Sequence, residues 1–379
     1  MNSLASRLKI FSLVAVLAAG LSGCAANDNP GRLSLSLADA STALYKAVYV
    51  TILEVGVHFG EDPADLWTTV GAPAKTYNLL DLVNGVREDL GLADLVSGHY
   101  TQLRLILGDI SDGGVNILSV VHPYANYVID TSNQYHELKI PSGMQTGIKI
   151  VQGFDINQNQ TTELILDFDA ARSVVVAGQS GKYLLKPTIQ VLGTALAAIV
   201  NGTVTNAADQ ADVEGALVSA QVYDPATADV KDQVVVETST ISDSAGGYKL
   251  FIAAGAYNLV ASKEGFAPFP VALTVAADST STQDFALTAA ATGTLTGAVT
   301  IAGADAETFA TISIRQSIML GTSNVVIEVM SMNVASGGAY SAVLPAGNYT
   351  VISSTAGKLT QQANAAVTAG VPKTLDISF

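Results

Sequence analysis

The chain of 379 residues has a single cysteine, Cys24, so no disulfide forms within it and no cysteine pair is present to hold zinc. Charge is scarce as well: 13% of residues are charged, against 49% hydrophobic. Past the N-terminus, however, no apolar run is long enough to span a bilayer as a helix. Basic residues are the rarer sign, 18 against 33 acidic ones, for a net charge of −15. No acidic residue precedes Cys24 while Arg7 and Lys9 do, so the part that follows is more negative still. Such a surface repels nucleic acid and anionic membranes, which argues against a nucleic-acid partner. There is no phosphate-cradling glycine loop and no dinucleotide fingerprint. What is plentiful is Ala, Gly, Val and Thr, a balance that favours strands and turns over exposed helices. The length suits two or three domains.

The first residues read as a targeting segment. Residues 1–9 carry two positive charges, residues 10–21 (IFSLVAVLAAGL) form a short apolar stretch, and small residues follow at Ser22 and Gly23. Leu21-Ser22-Gly23-Cys24 resembles the bacterial lipobox, in which the cysteine thiolate takes a diacylglyceryl group and becomes the mature N-terminus. The expectation is a signal peptide over 1–23, lipidation of Cys24, and a tether over 24–31. Two acyl chains bury many methylenes at about 0.8 kcal/mol each, enough for stable attachment. Ala25 stands where aspartate would signal inner-membrane retention, so the resemblance implies the outer membrane in a host with two.

Residues 32–197 read as one mainly β unit. Leu33, Leu35 and Leu37 alternate with serines, the pattern of a half-buried strand, and residues 47–58 continue in β-branched and aromatic types. Leu79, Leu80, Leu82, Val83, Val86 and Leu90 approximate helical spacing, which predicts a short helical insertion. Strands are expected at 100–107, 136–140, 146–154, 162–168 and 183–192, with residues 155–160 (DINQNQ) as a polar hairpin turn. The runs SLADASTALYKAVYVTILEVGVH, YNLLDLVNG, SGHYTQLRLIL, IPSGMQTGIKI and LILDFDAARSVVVAGQSGKYLLKPTIQV resemble, in this order, the DUF4382 domain of bacterial and archaeal envelope proteins. Ser41 departs from the proline usual after the Asp-Ala pair. The resemblance brings no activity, ligand or catalytic residue with it.

The remainder repeats. Tyr248 and Tyr340 are 92 residues apart, and so are Tyr257 and Tyr349. Strand-sized runs between turn residues predict two small antiparallel, Ig-like or transthyretin-like sandwiches, over 198–289 and 290–379. The first copy resembles the carboxypeptidase regulatory-like domain through Gly215-Ala-Leu-Val218, the Asp243 turn, Gly247-Tyr248, Ala254-Gly255-Ala256-Tyr257 and Gly265-Phe266. In that pattern the tyrosine ring packs over the sandwich edge. The second copy keeps only the Gly-Tyr and Ala-Gly-x-Tyr pieces. Both lie further along the chain from Cys24 than the first unit, and so further from the membrane.

Chemistry-bearing residues are few. His58, His99, His122 and His136 all fall in the first unit, none at zinc-ligand spacing from another His or Cys. Ser142 lacks the upstream glycine of a nucleophile elbow. Asp155, Asn157 and Asn159 supply three oxygen positions of a calcium loop, but Gln160 replaces its glycine and Leu166 its closing carboxylate. Asp167 and Asp169 share a strand face, as paired carboxylates, a calcium site, or a solvated strand edge near Arg172 or Lys186. No catalytic residue, metal ligand or cofactor is assigned. The expected function is that of a non-enzymatic, lipid-anchored cell-envelope module binding an envelope protein, a polysaccharide or a small ligand. The alternatives are a metal-dependent or hydrolytic enzyme with its site in 32–197, and a structural subunit of a surface assembly.

Overall fold

The computed structural model describes residues 29–379, apart from 41, 43, 61–66, 142–146, 178–181, 195–196 and 306–307. The expected signal peptide, Cys24, Ser41 and Ser142 lie outside the described residues. The fold is mainly β, and the only α-helix among the described residues is the single turn Ala170–Ser173. None of their helices is long and apolar enough to cross a membrane.

The first unit packs two sheets around one core. In the smaller sheet, Gly31–Ala40 lies between Glu88–Leu95, antiparallel, and Thr161–Asp169, parallel, with Ile189–Gly193 outermost. Leu33, Leu35 and Leu37 are fully buried, as their alternation requires, and share one core with Leu166 of the neighbouring strand and with Val48, Val55, Leu103 and Leu105 of the larger sheet. The larger sheet is built on Tyr45–Phe59, with Gly98–Leu107, Tyr127–Asp130, Trp67–Gly71 and Lys75–Asn78 paired along it.

Three sequence expectations change here. The helical insertion is only a 3-10 turn, Leu79–Asp81, followed by the strand Glu88–Leu95. A bulge hides that strand's alternation. Its register against Gly31–Ala40 shifts at Gly91 (φ 156°), which places Leu90 and Leu95, five residues apart, on the same buried face. Gly91 also crosses Gly71 so closely that a Cβ on it would lie 2.6 Å from the Gly71 Cα. The DINQNQ turn is not a hairpin: Phe154–Ile156 pairs with Gly98–Leu107, and Thr161–Asp169 pairs in the other sheet, so the turn carries the chain between sheets. The expected 183–192 strand splits around Pro187, which has no N–H to donate, into Lys182–Leu185 and Ile189–Gly193 in different sheets.

The two copies behind this unit share one strand order. In the first, Ala197–Asn206 lies between Gly247–Ala253 and the short Thr280–Thr282 and Phe285–Leu287, against the sheet Val234–Ile241, Leu217–Tyr223, Gly255–Ser262, Phe269–Val275. In the second, Thr292–Thr300 lies between Ala339–Pro345 and the short Lys373–Thr374 and Ile377–Ser378, against Ser323–Ala335, Phe309–Leu320, Gly347–Ser354, Gln361–Val367. The sandwiches are antiparallel except where the short closing strands run parallel to the first. Tyr248 and Tyr340 are on the outermost strands of their sheets, and their rings reach inward across the next strand. Each lies buried opposite a glycine, Gly202 or Gly297, and donates its hydroxyl to a carbonyl beyond it, of Gln283 or Leu375. Tyr257 and Tyr349 bond the carbonyls of Ala253 and Pro345.

The units are not strung out from the N-terminus. From Tyr127–Asp130 the larger sheet continues through Tyr135–Lys139, Lys182–Leu185 and Val174–Ala177 into Ser323–Ala335 of the last sandwich. Val175 and Val176 pair, parallel, with Asn333 and Val334. The last sandwich therefore folds back onto the first unit.

Candidate functional site at the junction of the three units

The end of the strand Thr161–Asp169 is where all three units meet. Asp169 caps the turn Ala170–Ser173 by accepting from the Arg172 backbone N–H at 2.9 Å, which aims the Arg172 side chain outward from the first unit. Its guanidinium donates to Glu328 Oε1 at 2.7 Å and to Asp169 Oδ2 at 3.4 Å, and reaches the Val236 carbonyl of the middle sandwich at 3.5 Å. The two carboxylates, Glu328 foremost, bind its proton more tightly than usual. Glu328 also accepts from the Ser313 hydroxyl at 2.6 Å, and Ser313 in turn accepts from Arg315 Nε at 2.9 Å. Arg315 then crosses to the middle sandwich and donates to the carbonyls of Val230 and Lys231.

Gln221, 1% exposed, completes the junction from the middle sandwich. Its side-chain amide accepts from the Glu328 N–H and donates to the Glu328 carbonyl, both at 2.8 Å, as a neighbouring strand would. Asn333 donates to the Arg172 carbonyl. A second stitch joins the first two units: Asn84, at φ 57°, donates its N–H to Thr240 Oγ1 and accepts from that hydroxyl and from the Lys249 N–H. A cleft of about 470 Å³ opens beside this network. Its walls are Leu44 from the first unit, Leu217 and Phe266 from the middle one, and Met330 and Leu344 from the last, with Arg172 and Glu328 in its lining. That combination, apolar walls and a few fixed polar groups, suits a ligand held between units.

The sequence candidates are dispersed. Asp167 and Asp169 lie on one face, but not on a solvated edge, because Thr161–Asp169 is an inner strand and the middle sandwich covers its end. Burial pushes the Asp167 carboxyl up to about 7, against a hydrogen bond from Thr238 that lowers it. Burial likewise raises Asp169, opposed by Arg172. Asp155, Asn157 and Asn159 sit at the opposite end of that strand, roughly 25 Å away, and Asp155 bonds His99 at 2.8 Å. His136 pairs with Asp130 at 2.8 Å and stacks on Tyr183; His122 is buried against Tyr127 and Tyr49; His58 lies beside Trp67. Among the described residues no three His, Cys, Asp or Glu side chains converge in a way that could hold a metal ion.

Asp39 was missed, although its phase announces it. It follows Leu33, Leu35 and Leu37 at the same spacing and is 3% exposed. Oδ1 accepts from the Ala170 N–H at 3.1 Å, while Oδ2 has no hydrogen-bond partner among the described residues. Burial, then the charges of Asp167 and Asp169, raise its pKa well above the carboxylate range.

Residues 30–187 match the family model of the domain of unknown function DUF4382, and residues 199–288 that of the carboxypeptidase regulatory-like domain. No curated protein matches the chain. Among solved structures, the Bacillus anthracis TIE protein aligns at 12% identity and TM-score 0.21, over 93% of this chain and 51% of its own. A Streptococcal ancillary pilin aligns at 9% and 0.21, over 92% and 98%. The shaft pilin of Lactobacillus rhamnosus GG aligns at 10% and 0.19, over 48% and 97%. Scores this low carry no inference about function. The chain thus carries a region matching the DUF4382 model, then one matching the carboxypeptidase regulatory-like model, and behind them a further sandwich of the same strand order.

Proposed function

We propose that this protein is a non-enzymatic cell-envelope module, lipid-anchored through Cys24, that presents a rigid three-unit body to an envelope protein, polysaccharide or small ligand. One observation carries the reading. Arg172 is spent on Glu328 and Asp169, and Arg315 on Ser313 and two carbonyls, so these charged groups hold units together. The cleft beside them is the place for a ligand. An outer-membrane position, in a host with two membranes, follows from the lipobox and from Ala25.

Two measurements test this. Metabolic labelling with an alkyne fatty acid marks the protein and is lost in Cys24→Ser; an unlabelled wild-type chain overturns the anchor. Photo-crosslinking in intact cells from Lys263, on the cleft wall, captures one reproducible partner or glycan. Stoichiometric metal in the purified protein, with loss of stability on chelation, would instead favour the enzymatic alternative.

A further inference from the structure

Between Leu107 and Tyr127 the chain leaves the larger sheet for nineteen residues, 108–126, with no regular strand or α-helix. A structureless loop of that length in a compact domain is usually functional. This one is built inside out. Asn116, His122 and Asn126 turn inward and hold it, while Asp109, Asp112 and Ser119 remain exposed. Asn126 closes the neck, donating to the Gly108 carbonyl at 2.7 Å and accepting from the Thr51 N–H at 3.0 Å. Asp112 accepts from the N–H groups of Thr76 and Gly114 at the base. Asn116, 5% exposed, accepts from the N–H groups of Leu118 and Val120 at the tip. His122 is buried against Tyr127, and Tyr49 accepts from the Ile117 N–H.

Its apolar side chains turn outward. Ile110 is 76% exposed, Val115 63% and Val121 60%, with Ile117, Leu118, Val120 and Tyr124 also exposed. Val115 and Val121 are paired across the loop, which brings these two side chains together at the base of the apolar tip 115–121. Exposed apolar residues scattered singly need no explanation, but a preorganised cluster does. The loop itself contains no Lys or Arg and carries Asp109 and Asp112, so its own charge favours a zwitterionic over an anionic surface.

We infer that loop 108–126 is a membrane-docking element that inserts its apolar tip into the interface of a zwitterionic bilayer. Reach supports that occupant. Gly31, where the tether enters the fold, packs by Ile156 and Asn157 near the Phe59 end of the strand Tyr45–Phe59, and the loop leaves beside Thr51. Ile156 lies two residues beyond the level of Phe59, so the two points are about 33 Å apart along that strand direction. Residues 24–30 span at most about 24 Å when extended. A bilayer that holds Cys24 therefore meets the loop when that strand lies along the membrane plane. The inference uses the anchor reading only to bring the bilayer within reach.

The test uses the full chain reconstituted into phosphatidylcholine vesicles, with an environment-sensitive fluorophore on Leu118→Cys and, as control, on Thr322→Cys in an exposed turn of the last sandwich. The Leu118 label is expected to shift to the blue and to be quenched by spin-labelled lipid, the Thr322 label neither. In a Val121→Cys protein, adding Ile117→Ser and Leu118→Ser should abolish the shift while the melting temperature stays unchanged. A Leu118 label that stays water-like on a chain that floats with the vesicles overturns the loop proposal and leaves the anchor standing. A shift that grows with protein concentration in the absence of lipid overturns it in favour of a second copy of the chain. A chain that neither floats nor responds overturns both readings.

Discussion

Arg172 and Glu328, 156 residues apart in the chain, meet at 2.7 Å with side chains 23% and 7% exposed. Their contact ties the first unit to the last, while Gln221 grips the Glu328 backbone from the middle one. Glu328, in the last unit, is thus held by side chains from both of the others.

Glu328→Ala leaves Arg172 part-buried with only Asp169 and the Val236 carbonyl, and strips Ser313 of its acceptor. A stability loss of about 3 kcal/mol is expected, read as a lowered urea midpoint. Replacing both members with methionine removes the unpaired charge and should recover roughly half of that loss. A double variant worse than Glu328→Ala would contradict this account.

Gln221→Leu removes both bonds to the Glu328 backbone and leaves a buried N–H and C=O unpaired. The expected cost is about 2–4 kcal/mol. Faster deuterium exchange at the Glu328 amide, with the strand pairing Leu217–Tyr223 to Val234–Ile241 still protected, would distinguish a loosened junction from a melted sandwich.

Asp167 gives the fold a pH dependence of opposite sign to a salt-bridged carboxylate. Its folded pKa, about 7, lies above the unfolded value of 3.8, so the native state binds the extra proton between the two. Stability is full below pH 4 and falls as the pH rises toward 7. Asp39, raised for the same reason, adds to the trend. Asp167→Asn should flatten the profile between pH 4 and 7 and raise stability at pH 8 by at most about 4 kcal/mol. Thermal melts across that range check it.

Gly202→Ala and Gly297→Ala should fail alike. A Cβ would stand 1.9 Å from the Gln283 carbonyl oxygen in one sandwich and 2.0 Å from that of Leu375 in the other, and would strike the Tyr248 or Tyr340 ring. Each is expected to cost about 3 kcal/mol. The milder Tyr248→Phe and Tyr340→Phe, which remove only the hydroxyl bond, should each cost about 1 kcal/mol. Unequal results between the copies would argue that the repeat is one of sequence alone.

Several of these features are legible in the sequence. The alternating leucines at 33–37 place their own strand, and the 92-residue offset of the tyrosines announces two copies that share even their hydrogen-bond acceptors. Period and repeat are local properties, carried by side chains a few residues apart. The bulge at Gly91 is already harder, because one extra residue makes a strand imitate helical spacing.

The sequence by itself determined a β-rich first unit, two related sandwiches behind it, and a lipobox-like segment around Cys24. Only the tertiary structure decided that Val174–Ala177 pairs with Ser323–Ala335, that Asp167 is covered rather than solvated, and that the loop 108–126 buries Asn116, His122 and Asn126 while showing its apolar side chains. The reason is physical. Strand pairing between segments some 150 residues apart, and burial by a neighbouring sandwich, depend on which surfaces meet, and no periodicity within a segment encodes its partner.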